Sequence, residues 1–436
     1  MSLFDLYYTN NEADQIRLAE QQKSIQDAFE GLLLASVKQQ QDYYQYSYTA
    51  DYQSDNNQPF SVYHDLHDDN SSVHSASYSS GFSSKHRARS IASSITTIDH
   101  KETSETSERD RYGFKQSTDW VDSEKLYQFE KRYEAIQRKQ LKRWRKLFDS
   151  NNTKQWPELC PDLIKYARSG IPHEYRAKAW MHYSGSEARM NSNPGVYQSL
   201  LAQIQESPEL IEDAVDSIRK DLYRTFPNNS HFAQDDSYRI TMLNHVLSAF
   251  SLHLPEIGYC QSLNFLAGFL LLFYDTEEEA FWMLVTIVQD YFPKGMFDAT
   301  MKGTQIEQTV LMNLVYDHMP AIWSKLSEQR CFWECEQKEQ DNFSAITLIT
   351  THWFLTMYIN IMPVETVLRI WDCFFIGDGF KVIYQVALTI LKLNEERILQ
   401  AEDSIGAFQV LQNMPRRMID CDKFIKVWFE GKAGLT

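Results

Sequence analysis

Two side chains stand out for the chemistry they could do. Arg224 follows Ile218 and Asp221 at three-residue intervals, and Thr225, Phe226 and Pro227 come directly after it. Positions three apart share one face of a helix, so this spacing predicts a short helix. Pro227 must end it, because the residue before a proline is pushed out of helical conformation. Arg224 then stands on the last turn, aimed away from the helix body. A guanidinium is a planar, permanently charged fork suited to phosphate oxygens. The same residues also read as a surface Asp221–Arg224 pair near a helix C-terminus. Taken alone, that pair is the simpler reading. The second side chain is Gln261, which follows Tyr259 and Cys260 and stands before the apolar run 265–274. A run apolar on every side predicts a buried helix, and polar groups entering one need partners. Core hydrogen bonds account for Asn264, and a helix cap accounts for Ser262. Gly268 predicts a close approach between helices.

The elements that would position these residues are helical throughout. Apolar spacing predicts a long amphipathic helix from Leu126 to Leu147, broken at Asn151. Gly170 and Pro172 mark a turn and a helix start, with Arg176 and Trp180 four apart as a cation–π or packing pair. Further helices are expected over residues 238–254, 277–289, 304–319, 343–361, 364–375, 381–399 and 404–413. No alternating strand series is visible, so the fold class is all-α. Residues 330–342 are polar and irregular and read as an inserted loop.

Composition sets the outer bounds. The chain has 436 residues, 43% of them hydrophobic, enough for a large core in two or three domains. The net charge of −16 argues against nucleic acid as a partner, which would require a basic stripe. The six cysteines, Cys160, Cys260, Cys331, Cys335, Cys373 and Cys421, show no metal-ligand spacing and read as buried free thiols. The first residues do not read as a signal peptide, and the longest apolar run is too short to span a bilayer. A cytoplasmic location, with any membrane contact peripheral, is the expectation. Residues 1–108 read as mostly disordered: Tyr, Ser, Gln, Asp and Asn dominate from about residue 41, and such a stretch cannot offset its ordering entropy. An amphipathic partner-binding helix is expected near residues 11–40, and a basic-directed phosphorylation site near 85–90. There is no Gly-x-x-x-x-Gly-Lys-Ser/Thr, His-Glu-x-x-His, Gly-x-Ser-x-Gly or kinase signature, so a self-contained hydrolase has little support.

Residues 168–399 resemble the TBC domain, the Rab GTPase-activating fold. The resemblance rests on three motifs in order: Gly170 with Arg176 and Trp180; Ile218, Asp221 and Arg224; and Tyr259 with Gln261. A later segment carrying Arg369, Trp371 and Asp372 matches too. The stretches 177–200 and 363–399 are most similar to the growth-hormone-regulated TBC group. The resemblance implies an all-helical domain of two subdomains, preceded by a lead-in over 109–167 and followed by a helical extension over 400–436. It also implies a dual-finger mechanism. Arg224 and Gln261 would enter the nucleotide site of a GTP-bound Rab-family GTPase, supported by Ile218, Asp221 and Tyr259. Gly170, Arg176, Trp180, Arg369, Trp371 and Asp372 would be structural. The chain would carry no cofactor of its own, GTP and Mg2+ arriving with the partner. It would serve vesicle traffic as an activator rather than as an enzyme acting alone. The alternative is a non-catalytic Rab-binding scaffold that keeps the fold. Two departures from the family pattern are Ser262 and Leu263, where Gly-Met is common, and an extra residue around Gly377, Asp378 and Gly379.

Overall fold

The structure is a computed structural model that describes residues 109–115, 120–150, 156–233, 237–327 and 345–431. The expected helix at 11–40, the polar region to 108, the basic cluster at 85–90 and the loop at 330–342 lie outside the described residues, as do Cys331 and Cys335.

Among the described residues the chain is helical, with two isolated bridges, Arg109 to Lys115 and Phe114 to Asn229, and no named strand. In order the helices are α1 (Ser123–Ser150), α2 (Pro161–Arg168), α3 (His173–Tyr183), α4 (Ser186–Ser192), α5 (Val196–Glu206), α6 (Glu212–Leu222), α7 (Tyr238–His253), α8 (Leu263–Leu270) and α9 (Glu277–Thr286). They continue with α10 (Lys302–His318), α11 (Pro320–Leu326), α12 (Ala345–Leu355), α13 (Val364–Cys373), α14 (Lys381–Leu393), α15 (Glu395–Gln400), α16 (Ser404–Asn413) and α17 (Cys421–Gly431). Helix starts follow ordinary rules. Thr276 and Glu279 close a capping box on α9, and Asp403 caps α16 through the Gly406 amide. α8, α9 and α13 are buried along nearly their whole length, and one continuous apolar cluster runs from Tyr112 to Trp428.

Two expected helices break where tertiary bonds intervene. The helix expected over 343–361 ends at Leu355. Met357, Tyr358 and Asn360 then adopt left-handed backbone, held by Trp371 Nε1 donating to the Met357 carbonyl (3.2 Å) and by the Tyr358 hydroxyl donating to the Ile383 carbonyl. The helix over 381–399 divides at Asn394, whose side chain donates back to the Ile390 carbonyl (2.8 Å). The helix expected over 304–319 forms as α10, and Pro320 begins the separate helix α11 directly after it. The segment from Phe374 to Asp378, where an extra residue was expected, winds as a π-helical turn.

A buried charged joint ties the two ends of the fold together. Asp372, fully buried, accepts from Arg176 Nε (3.1 Å), Arg176 Nη2 (3.2 Å), the Ile171 amide (2.9 Å) and Trp180 Nε1 (3.0 Å). Arg176 and Trp180 therefore meet through one buried carboxylate, an architectural pair rather than a cation–π one. Glu365 lies 3.5 Å from Arg176 and accepts from the hydroxyls of Tyr112 (3.0 Å) and Tyr133 (2.9 Å). Burial pushes the Glu365 carboxyl up, yet Arg176 and the two hydroxyls outweigh it and hold it below the usual carboxylate range. Arg369 is anchored separately, to Asp422 (2.5 Å) and to the Arg168 carbonyl (2.9 Å). Gly170, at φ +109°, lets the chain pass this point, since a Cβ there would meet Gln140 Nε2 at 2.7 Å and Arg369 Nε at 2.9 Å.

The lead-in is thus part of the core. Tyr112, Tyr133 and Trp144 are buried, and two of them satisfy Glu365. A chain starting at Arg109 is expected to fold as the full chain does, whereas one starting at Gly170 should be insoluble or molten. It would lose both hydroxyl partners of a buried carboxylate together with the α1 face. Circular dichroism melts and solubility of the two truncations check this. A cooperative, fully folded Gly170 start would show that the lead-in is dispensable.

Candidate functional site

α6 buries Ala214, Ile218, Asp221 and Leu222, so Ile218 and Asp221 face the core as their spacing requires. The helix ends at Leu222, and Arg224 sits in the turn that follows, its amide donating to the Asp221 carbonyl (3.2 Å). Thr225, fully buried, donates its hydroxyl to the same carbonyl (2.7 Å). Phe226 is buried behind it. Arg224 is pushed outward by these anchors and is 37% exposed. Among the described residues its one charged partner is Asp221, at 3.9 Å, beyond hydrogen-bonding distance. The surface pair read from the sequence exists, but it is loose.

Gln261 occupies a second turn, between Gly258 at φ +60° and the start of α8. It is half-buried, and its side-chain amide has no hydrogen bond to another described residue. Two buried contacts join this turn to the first. The Tyr259 hydroxyl donates to Asp221 Oδ2 (2.7 Å), and Asn264 Nδ2 donates to Thr225 Oγ1 (3.0 Å). Asn264 also accepts from the Ser262 amide through Oδ1 (3.2 Å), so one side chain braces both turns. Gly268 makes the contact close: a Cβ there would meet Thr225 Cγ2 at 2.7 Å and Phe226 at 3.0 Å. Burial raises the Asp221 carboxyl above its ordinary value, opposed by the Tyr259 hydrogen bond and by Arg224. Burial and Asp221 together raise the Tyr259 phenol, which stays protonated and keeps donating. Burial pushes the neighbouring Cys260 thiol up to about 12, so it is no thiolate at neutral pH.

Sequence reasoning assigned Asn264 to ordinary core bonding and missed its bridging role. The available signal was a carboxamide three residues beyond Gln261 inside an otherwise apolar helix. A second missed feature is the strap Arg109–Lys115. Arg109 donates to the Asn228 carbonyl (2.5 Å), Asn229 Nδ2 to the Tyr112 carbonyl (2.9 Å) and the Ser230 amide to the Gly113 carbonyl (2.9 Å). Phe114 packs edge-on against Phe226, 5.2 Å between ring centres. The loop after Arg224 is thereby held from outside, as α8 holds it from inside. Gly170, Arg176, Trp180, Arg369, Trp371 and Asp372 are not brought to these turns. They form the buried joint and its surroundings, linked to α8 by the Phe269–Trp371 ring contact at 5.0 Å.

Ser262 does not cap α8. It lies in left-handed backbone at φ +95°, makes no side-chain cap bond, is fully buried and leaves Oγ without a partner. Left-handed backbone costs a residue with a Cβ about 1–2 kcal/mol, and the orphaned hydroxyl adds to that. Ser262→Gly removes both costs and restores some unfolded-state entropy, for an expected net stabilisation of about 1 kcal/mol. The check is the melting temperature. A fall on this substitution would mean that Ser262 makes a contact absent from this geometry.

Residues 173–399 match the Rab-GTPase-TBC domain family. The chain is 32% identical over 385 residues to the GTPase-activating protein MSB4 of Saccharomyces cerevisiae, covering 75% of this chain and 77% of that one. It is 36% identical over 331 residues to growth hormone-regulated TBC protein 1 of Homo sapiens, covering 75% of this chain and 91% of that one. The crystal structure of the Chlamydomonas flagellar RabGAP TBC domain superimposes with a TM-score of 0.60 at 24% identity, covering 74% of this chain and 99% of that chain, which speaks to the fold. With the family's motif residues on two turns locked together in the core, the chain belongs to the Rab-GTPase-TBC domain family.

Proposed function

We propose that this chain accelerates GTP hydrolysis by a Rab-family GTPase, inserting Arg224 and Gln261 into the partner's nucleotide site. The observation that carries the reading is a pair of uncommitted polar side chains on two braced turns. Arg224 supplies a preorganised positive charge for the phosphoryl oxygens as negative charge develops there. The Gln261 amide can accept a hydrogen bond from the attacking water and donate one to phosphate or switch backbone. GTP and Mg2+ belong to the partner, so this chain completes an active site rather than containing one. The family membership and the activator named among the relatives support the reading.

No described helix is long and apolar enough to cross a membrane. Membrane access would come through the GTPase, at the cytoplasmic face of endomembranes, which fits a role in vesicle traffic. A scaffold that only binds would have no chemical need for either side chain. Phosphate release from a panel of GTP-loaded Rab-family GTPases tests the proposal. Acceleration of at least one member is expected, and binding without acceleration across the panel would favour the scaffold.

Gln261→Ala is expected to lower turnover about a hundredfold or more while leaving partner affinity nearly unchanged, because its bonds form only in the transition state. Its effect should be less than additive with Arg224→Ala, since both act at one site. Full additivity in single-turnover rates would argue against a shared site.

A further inference from the structure

The strap Arg109–Lys115 lies wholly before the family match at 173–399, yet it lands on the residues that follow Arg224. From Asp221 to Thr225 the turn is fixed from inside, by the Thr225 hydroxyl and by Asn264 of α8. The three residues after Pro227 are each bonded to the strap. Arg109 donates to the Asn228 carbonyl, Asn229 Nδ2 to the Tyr112 carbonyl, and the Ser230 amide to the Gly113 carbonyl. Phe226, two residues past Arg224, has its ring enclosed by Phe114 at 5.2 Å, Phe232 at 5.6 Å and Phe265 at 5.9 Å between ring centres. The strap takes its own shape locally: Asp110 Oδ1 accepts from the amides of Tyr112 (2.9 Å) and Phe114 (3.0 Å), an Asx turn. Gly113, at φ +87°, brings its backbone onto the loop, since a Cβ there would collide with Ser230 Oγ and meet His231 Cδ2 at 2.9 Å. The far anchor is the buried joint. Tyr112 donates to Glu365 (3.0 Å), and its ring lies 5.4 Å from that of Phe273. A continuous path of polar contacts thus runs from Arg176 through Glu365 and Tyr112 to the loop after Arg224.

We propose that the strap is a positioning device for Arg224, with Gly113 and Phe114 as its positioning residues. They hold the loop 226–230 so that the guanidinium stands ready for the partner's phosphate, acting through the turn and not on the phosphoryl group. This rests on the finger role proposed for Arg224. A preorganised charge is effective only where its backbone is fixed, and a displacement of about 1 Å can cost about a hundredfold in rate. Loosening the strap therefore costs turnover rather than affinity, because the charge acts in the transition state. A strap that served the core alone would leave the turn, and the rate, as they are.

The test compares Gly113→Ala and Phe114→Ala with the parent, all in the full chain. Phe114→Ala removes no hydrogen bond, so it decides the matter if Gly113→Ala does not fold. Amide hydrogen exchange over residues 222–232 needs no GTPase. It should accelerate there and stay as in the parent over α7 to α9, with a cooperative melt retained. With a Rab-family GTPase that the parent activates, the limiting single-turnover rate should fall about tenfold or more. The activator concentration giving half that rate should stay nearly unchanged. Phe114→Leu should recover most of the rate, because it keeps an apolar group on Phe226. In an Arg224→Ala background the strap variants should cost little more, since they act through that side chain. Arg111→Ala is the control, an exposed strap residue hydrogen-bonded to Gln137 (3.2 Å), and should change none of these. Unchanged exchange over 222–232, faster exchange at an unchanged limiting rate, or an undiminished loss in the Arg224→Ala background would overturn the proposal. A parent that accelerates no GTPase defeats the finger role instead, while the exchange still decides whether the strap holds the turn.

Discussion

Arg224→Ala should reduce the stimulated rate of GTP hydrolysis by about a thousandfold or more, with the fold intact. The stability half of this expectation follows from the turn. Arg224 is 37% exposed and reaches Asp221 only at 3.9 Å, a distance at which a partly solvated pair contributes little. Asp221 keeps its Tyr259 hydrogen bond when the guanidinium is gone, and Thr225 still ties the turn to the Asp221 carbonyl. The melting temperature should therefore move little. The rate half follows from where the charge acts. Charge on the transferred phosphoryl group develops in the transition state, so a positive group held ready there lowers the barrier more than it tightens binding. Arg224→Lys should fail as well, because a point charge cannot copy a planar fork engaging two oxygens. Single-turnover hydrolysis by a responsive GTPase, measured beside affinity and melting temperature, separates the cases. An unchanged rate in the alanine variant would remove Arg224 from the mechanism, and a collapsed melting temperature would reassign it to structure.

The parts of this site that obey local rules were legible in the sequence. Three-residue spacing put Ile218 and Asp221 on the buried face of α6, but the helix ends at Leu222, earlier than Pro227 requires, so Arg224 stands in the following turn and not on the last helical turn. Gly268 announced a close contact, now seen against Thr225 and Phe226. What was not legible depends on partners far apart in the chain. Nothing local in Asn264 says that its amide meets Thr225, 39 residues earlier. Nothing in Tyr112 and Tyr133 says that both serve Glu365, more than 230 residues later. Arg176 and Trp180 carried the right spacing for a pair, but a carboxylate nearly 200 residues away decided how they meet. Ser262 misled for another reason. Serine is an ordinary helix cap, whereas the glycine common at this position in the family pattern was the better guide: the backbone here is left-handed, where a glycine would sit without strain.

Asp372→Ala is the substitution expected to damage the fold most, by about 3–5 kcal/mol. It removes the acceptor for four donors at once, and water cannot replace it at a site with no exposure. Arg176 would keep only Glu365, at 3.5 Å, while the Ile171 amide and the Trp180 indole would be left unpaired. Asp372→Asn should lose less, since a carboxamide oxygen still accepts, but its amino group would point donor to donor at one of the four. Arg176→Met in the same chain is expected to relieve part of the alanine defect, because removing both members of a buried pair leaves fewer unmet charges than removing one. The relief stays partial because Glu365 then depends on its two tyrosine hydroxyls alone. Acid titration gives an independent reading of the same joint. The folded Glu365 carboxyl lies below its unfolded value, so its contribution is present in full above the ordinary glutamate range and is lost as pH falls through the folded value. Arg176→Met should weaken that acid dependence. Urea midpoints for the single and double variants decide the matter. A double variant as unstable as the sum of its singles would mean that Arg176 and Asp372 act independently, which the shared hydrogen bonds do not allow.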